Sequence, residues 1–127
     1  EARLPRSRAE DLVASARQVN GVAVIAGRID GLDADGLRSV ADTLRTRLGS
    51  GVVCVGGVLD GKVNLIAAVT KDLTARFPAG KLIQEVAKAV GGGGGGRPDL
   101  AQAGGKDPAR LDAALELAYA FVARAAG

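Results

Sequence analysis

Histidine, methionine and tryptophan are absent from this 127-residue chain, and cysteine occurs once. Each absence removes a class of chemistry. Without histidine there is no Ser-His-Asp triad, no Cys-His pair and no histidine-ligated metal. A single cysteine excludes a zinc knuckle or ribbon and any disulfide within the chain, which suits a reducing compartment. Cys54 lies in the apolar run Gly51-Val52-Val53-Cys54-Val55 and reads as a small core hydrophobe, not a reactive thiol. Phe77, Tyr119 and Phe121 are the only aromatics. The core must therefore come from Val, Leu, Ile and Ala, and stacking of bases on aromatic rings is disfavoured. No apolar stretch reaches membrane-spanning length, and the Arg-rich start lacks the apolar segment of a signal peptide.

What is present fits one folded domain. Hydrophobic residues make up 47% and charged residues 24%, enough to bury a core. The net charge of +3 comes from 17 cations interleaved with 14 acids, so no segment is a basic tail. A polyanionic partner is permitted, but its binding surface has to be assembled by folding. The chain starts at Glu1 and contains no methionine, which reads as a piece of a longer parent.

Along the chain, Ser7-Arg8-Ala9-Glu10 fits a capping box, and Leu12, Val13 and Ala16 share a face. A short helix is expected from about Ser7 to Gln18, ended by Gly21. Val22-Ala23-Val24-Ile25-Ala26 reads as a buried strand. Asp33 or Asp35 can cap the next helix, whose apolar stripe is Leu37, Val40, Ala41, Leu44 and Leu48. Arg38, Asp42 and Arg45 occupy its other side and can pair along the helix. Two apolar runs, Val52–Leu59 and Val63–Val69, joined by Asp60-Gly61, predict a hairpin. A third helix is expected over Ala79–Val90. Asp107-Pro108 should open a fourth, with Leu111, Ala114, Leu115, Ala118 and Val122 inward. The fold class expected is α/β, a mixed sheet with packed helices.

Two features could carry chemistry. Asp30, Asp33 and Asp35 look like a turn and a helix cap, not a metal or acid–base cluster. Gly91 to Gly96 satisfies a GxGxxG pattern trivially, but it follows a helix where the Rossmann motif follows a strand, and Arg97-Pro98 replaces the Lys-Ser/Thr of a P-loop. It reads either as a flexible loop or as a backbone nest for an anion such as phosphate, with Arg97 as an added forked donor.

The stretch Gly93-Gly94-Gly95-Gly96-Arg97-Pro98-Asp99-Leu100-Ala101-Gln102-Ala103-Gly104-Gly105 resembles the closing signature of alanyl-tRNA synthetases. Leu37-Arg38, Leu44-Arg45, Ser50-Gly51-Val52-Val53, Asp60-Gly61-Lys62-Val63 and Ala79-Gly80 fit the same pattern in order, so the resemblance covers about Gly21 to Ala123. It implies a DHH-associated fold for residues 21–127, preceded over 1–20 by the end of a helical stalk or linker. It also implies a tRNA-binding domain at the corner of the L-shaped tRNA, helping to couple aminoacylation with editing in a cytoplasmic parent. That parent would ligate alanine to tRNA with ATP and Mg and hold a zinc in its editing region; the fragment itself would hold no cofactor and no metal and catalyse nothing. In related phosphoesterases the glycine-rich loop commonly ends in histidine, whereas Arg97 stands there in this chain.

On that resemblance the expected tRNA contacts are Gly93, Gly94, Gly95, Gly96, Arg97, Gln102, Gly104, Gly105 and Lys106, extended by Lys62, Lys71, Arg76 and Lys81. They would hold phosphate and sugar without reading sequence. Pro98-Asp99-Leu100 and Ala101-Gln102-Ala103 can equally serve to lock a tight loop against the sheet. Two other functions remain open: a dimerisation module meeting a second copy through Leu4, Leu12, Val13 or the last helix, and the nucleic-acid-binding half of a DHH-type phosphoesterase.

Overall fold

The computed structural model describes residues 16–19 and 21–126. Six strands form one mixed sheet in the order β1-β2-β3-β4-β6-β5. They are β1 (Arg17–Val19), β2 (Val22–Arg28), β3 (Val52–Leu59), β4 (Lys62–Val69), β5 (Gly93–Gly96) and β6 (Leu100–Gly105). Among the described residues three α-helices cover it: α1 (Ala34–Leu48), α2 (Ala79–Ala89) and α3 (Leu111–Ala126).

Only β2 and β3 run parallel, with α1 as the crossover between them; every other pair is antiparallel. Asp33 caps α1 as expected, its carboxylate accepting from the Gly36 amide at 2.8 Å. The β3–β4 hairpin turns on Asp60 and Gly61, both with positive φ (54° and 76°), the geometry that matches the twist of the flanking strands.

Strand alternation splits the interior in two. Val52, Cys54, Leu65 and Ala67 face α2 and α3 and join Leu82, Ile83, Val86, Leu111, Ala118 and Val122 in the larger core. Val53, Val55, Ile66 and Ala68 face the other way, onto Leu37, Val40, Ala41 and Leu44 of α1. The central strands are thus buried on both faces, which is why their sequences are unbroken apolar runs and not alternating ones. Leu37 and Leu44 are fully buried, each contributing about 1.5–3 kcal/mol, and they hold α1 to its face. Cys54 is buried in the larger core, and desolvation pushes its thiol up to about 12, so it stays protonated.

Three expectations need correction. The helix foreseen over Ser7–Gln18 does not reach its C-terminal end, because Arg17–Val19 form an edge strand paired with Val22–Val24; residues 7–15, with the proposed capping box, lie outside the described residues. The glycine run is not a loop: Gly93–Gly96 is the other edge strand, paired with β6 from Gly93↔Gly104 to Gly96↔Ala101. Asp107 does not cap the last helix with its side chain; a 3-10 turn, Pro108–Arg110, precedes α3, and the Asp107 carboxylate pairs with Arg110 at 3.4 Å.

Candidate nucleic-acid interface

The signature residues build the outer hairpin of the sheet. Arg97, Pro98 and Asp99 link β5 to β6, and the Arg97 amide closes the turn on the Leu100 carbonyl at 3.0 Å. Neighbouring elements fix this turn from three sides. The Ala79 amide at the start of α2 donates to the Pro98 carbonyl at 2.8 Å, and the Val69 amide at the end of β4 donates to the Asp99 carbonyl at 2.9 Å. From α1, the Arg45 guanidinium donates to the same Asp99 carbonyl at 3.0 Å while its other nitrogen holds Asp42 at 2.6 Å. Pro98 and Asp99 therefore act as a backbone lock. That carbonyl at Pro98 also satisfies one of the donors that α2 leaves free, since Pro78 offers no side-chain cap.

Why glycine occupies β5 follows from its neighbours. A Cβ on Gly94 would run into the Gln102 carbonyl and Ala103, and one on Gly96 would sit 2.8 Å from Ala101 Cα and from the Leu100 carbonyl. At these two alternate positions the strand is pressed so close to β6 that a side chain is excluded, whereas a Cβ at Gly93 would meet open space. This overturns the nest expectation: within Gly91–Gly96 only Gly91 has positive φ, and extended residues send successive N–H groups to opposite sides instead of toward one point.

Beside the hairpin, α1 stops short of covering β5 and β6. Between them lies an open depression of about 220 Å³ lined by Arg38, Gly95, Gly96, Arg97, Leu100, Ala101 and Gln102. Arg38 donates to the Gln102 side-chain oxygen at 2.9 Å across 64 residues of sequence. Arg97 stands at the hairpin tip, 75% exposed, with the Asp99 carboxylate 3.7 Å away. Arg38, Asp42 and Arg45 fall at i, i+4 and i+7 and so form one stripe along the flank of α1 that borders the depression.

The residues expected to bind tRNA are thus only partly gathered. Gly95, Gly96, Arg97 and Gln102 line the depression, and Gly93 and Gly94 continue the same edge strand. Gly104, Gly105 and Lys106 lie at the far end of β6, beyond the depression. With a rise of about 3.4 Å per residue, β6 separates Arg97 from Lys106 by roughly 17 Å, so the two cations do not share one phosphate. Lys62 opens β4 at the Lys106 end, since Val63 pairs with Gly105. Lys71, Arg76 and Lys81 are exposed in the segment from β4 into α2, at the Arg97 end; Arg76 lies over the Phe77 ring, 5.3 Å from its centroid. Sequence reading missed Arg38 and Arg45 as site residues, placing both among pairs along their helix. Arg45 does pair so with Asp42; the hints of a shared surface were the recurrence of both arginines with Asp42 on one flank and their place in the motifs that carry the resemblance.

Among the described residues no group of three or more His, Cys, Asp or Glu side chains could hold a metal, and no helix is long and apolar enough to cross a membrane.

Comparison with known proteins agrees with this architecture. Residues 21–124 match the DHHA1 domain family. The chain is 54% identical over 123 residues to an alanine–tRNA ligase of Pelotomaculum thermopropionicum and 56% identical over 115 residues to one of Anaeromyxobacter dehalogenans. These alignments take in 96% and 91% of the chain but 14% and 13% of the relatives, so the chain spans about one-seventh of their length. Among solved structures, the C-Ala domain of Aquifex aeolicus alanyl-tRNA synthetase matches with a TM-score of 0.79 and 33% identity over 85% of this chain and 97% of that one. An exopolyphosphatase-related protein of Bacteroides fragilis matches at 0.55 and 12% identity, over 97% of this chain and 36% of that one, a likeness of fold alone. The chain belongs to the DHHA1 domain family, in the form that alanyl-tRNA synthetases carry as their C-Ala domain.

Proposed function

We propose that the domain is a non-catalytic tRNA grip for a cytoplasmic alanine–tRNA ligase, contacting the tRNA elbow and helping one tRNA serve both aminoacylation and editing. The observation that carries this reading is the cationic depression between α1 and the β5–β6 hairpin, in a domain that matches nearly the whole of a synthetase C-Ala domain. The ATP, Mg and editing-site zinc of such a ligase would be held by other parts of the parent. Arg38, Arg97 and the hairpin backbone suit phosphate and sugar, whose contacts position RNA without reading its sequence.

Salt-dependent tRNA binding by wild type, Arg97→Ala and Lys106→Ala tests the reading. Each lost phosphate contact should lower the slope of log affinity against log salt by roughly 0.7–0.9. Arg97→Ala is expected to weaken binding and flatten the slope; no binding by wild type even at low salt would sink the proposal.

A second reading, self-association, is favoured by one observation. Leu117 on α3 is the exposed large hydrophobic residue among those described, with Ala113 and Ala120 exposed on the same side. A mass that rises with concentration and falls in Leu117→Glu would support it.

A further inference from the structure

We propose that the depression is a phosphate subsite whose paired donors are the Arg38 guanidinium and the Gln102 side-chain amide, with Arg38 supplied by a helix outside the glycine signature. The subsite rests on the RNA reading above only for the source of the phosphate.

The argument starts from what each group can do. A guanidinium carries five N–H donors and no acceptor. Arg38 Nη2 lies 2.9 Å from the Gln102 side chain, so the atom facing it has to be the amide oxygen. That contact fixes the orientation of the amide, and its NH₂ group turns away from Arg38. All the polar side chains lining the depression then present donors: Arg38, Arg97 and the Gln102 nitrogen. Among the described residues no carboxylate lines it. The remaining walls are the Gly95–Gly96 backbone, which carries no side chain of its own, and Leu100 and Ala101.

A donor-only site selects a ligand that offers only acceptors. A base edge brings at most two acceptors side by side and no charge, and most edges bring N–H groups that would face guanidinium hydrogens. A phosphate brings oxygens on all sides and charge of the matching sign. The partner of Arg38 strengthens this choice. Arg28 and Arg124 on other faces are matched by carboxylates, whereas Arg38 donates to a neutral amide, so its charge is oriented but not cancelled. Arg45 then acts as a positioning residue: it holds Asp99 and so the turn that carries Arg97 opposite Arg38.

The test uses the 127-residue chain with two probes, a tRNA transcript and millimolar inorganic phosphate. Arg38→Met should weaken tRNA binding about tenfold, the size of one charge-assisted hydrogen bond, and lower the salt slope by roughly 0.7–0.9. Gln102→Glu should weaken it more than Gln102→Leu, because the new carboxylate both pairs with Arg38 and repels phosphate. Inorganic phosphate should shift the Gln102 side-chain amide resonances in wild type and not in Arg38→Met. Both side chains are exposed, so unchanged melting midpoints will separate lost binding from lost folding. If tRNA binds but Arg38→Met and Gln102→Glu match wild type and phosphate leaves the amide unmoved, the subsite is refuted while the RNA reading stands. If phosphate moves the amide but tRNA does not bind, the subsite stands and the RNA reading fails. Equal response to poly-glutamate and to phosphate would also overturn it, making the site a general carboxylate acceptor.

Discussion

On one flank of the domain, where α3 packs on β1, β2 and α2, arginines meet carboxylates. Arg17 reaches Glu116 at 3.5 Å and lies over the Tyr119 ring, Arg28 bridges Asp30 and Asp112, and Arg124 grips Glu85 with both oxygens at 2.6 Å. On the other flank, where α1 borders the β5–β6 hairpin, carboxylates take only part of the arginines' contacts, and neutral or backbone oxygens take the rest. Arg38 holds the Gln102 amide, Arg45 divides between Asp42 and a carbonyl, and Arg97 stands 3.7 Å from its nearest carboxylate. The residue type is the same and the net charge of the chain is only +3, yet the two flanks differ in what is left for a partner. Pairing with a carboxylate fixes a helix and cancels the charge; pairing with an amide or carbonyl fixes the guanidinium and leaves it positive.

The largest effect that would break this contrast comes from under the second flank. Leu44→Ala opens the core that holds α1, and urea unfolding should show a loss of about 2–5 kcal/mol together with weaker RNA binding, because Arg38 and Arg45 ride on that helix. Next is Gly94→Val, which forces a side chain into β6; about 1–3 kcal/mol of destabilisation is expected, with amide exchange speeding first in β5 and β6. If Gly94→Val leaves both unchanged, the glycine run is not explained by close approach. A smaller effect is pH-dependent and lies near the turn between α1 and β3. Hydrogen bonds from Ser50, at 2.5 Å, and from Thr70 hold the Asp72 carboxyl below its usual range. A depressed carboxyl stabilises the fold above its unfolded-state pKa, and that contribution fades as pH falls through the folded-state value. Melting midpoints on acidification should therefore drop more in wild type than in Ser50→Ala. The smallest effect is expected on the first flank: Arg28→Met and Arg124→Met should each cost about 0–1 kcal/mol, as exposed pairs do, and leave RNA affinity unchanged.

Much of the scaffold was legible because it is written locally. Asp60-Gly61 announces its own turn, since both residues must take positive φ, and the stripes of α1, α2 and α3 follow from helical spacing. The edge strands were not legible for opposite reasons. Arg17–Val19 is three residues long and takes its shape from pairing with β2, not from its own pattern. Gly93–Gly96 has no side chains to alternate, and its conformation is set by the approach of β6. β6 itself was overlooked because Ala, Gln and Gly carry little strand preference.

The site shows the same division. The glycine–arginine signature was visible as a unit, but sequence proximity joined Arg97 to Lys106, which the extended β6 puts at opposite ends. Arg38 meets Gln102 only because the crossover from β2 to β3 lays α1 beside the hairpin, and nothing within a few residues of either position encodes that contact.

Amide chemical-shift mapping of the chain titrated with tRNA tests the contrast between flanks most directly. Shifts concentrated at Arg38, Gly95, Gly96, Arg97 and Gln102, with Asp112, Glu116 and Arg124 quiet, are the predicted result. Shifts centred on α3 and β1 instead would contradict the account and place the partner on the flank where the charges are already paired.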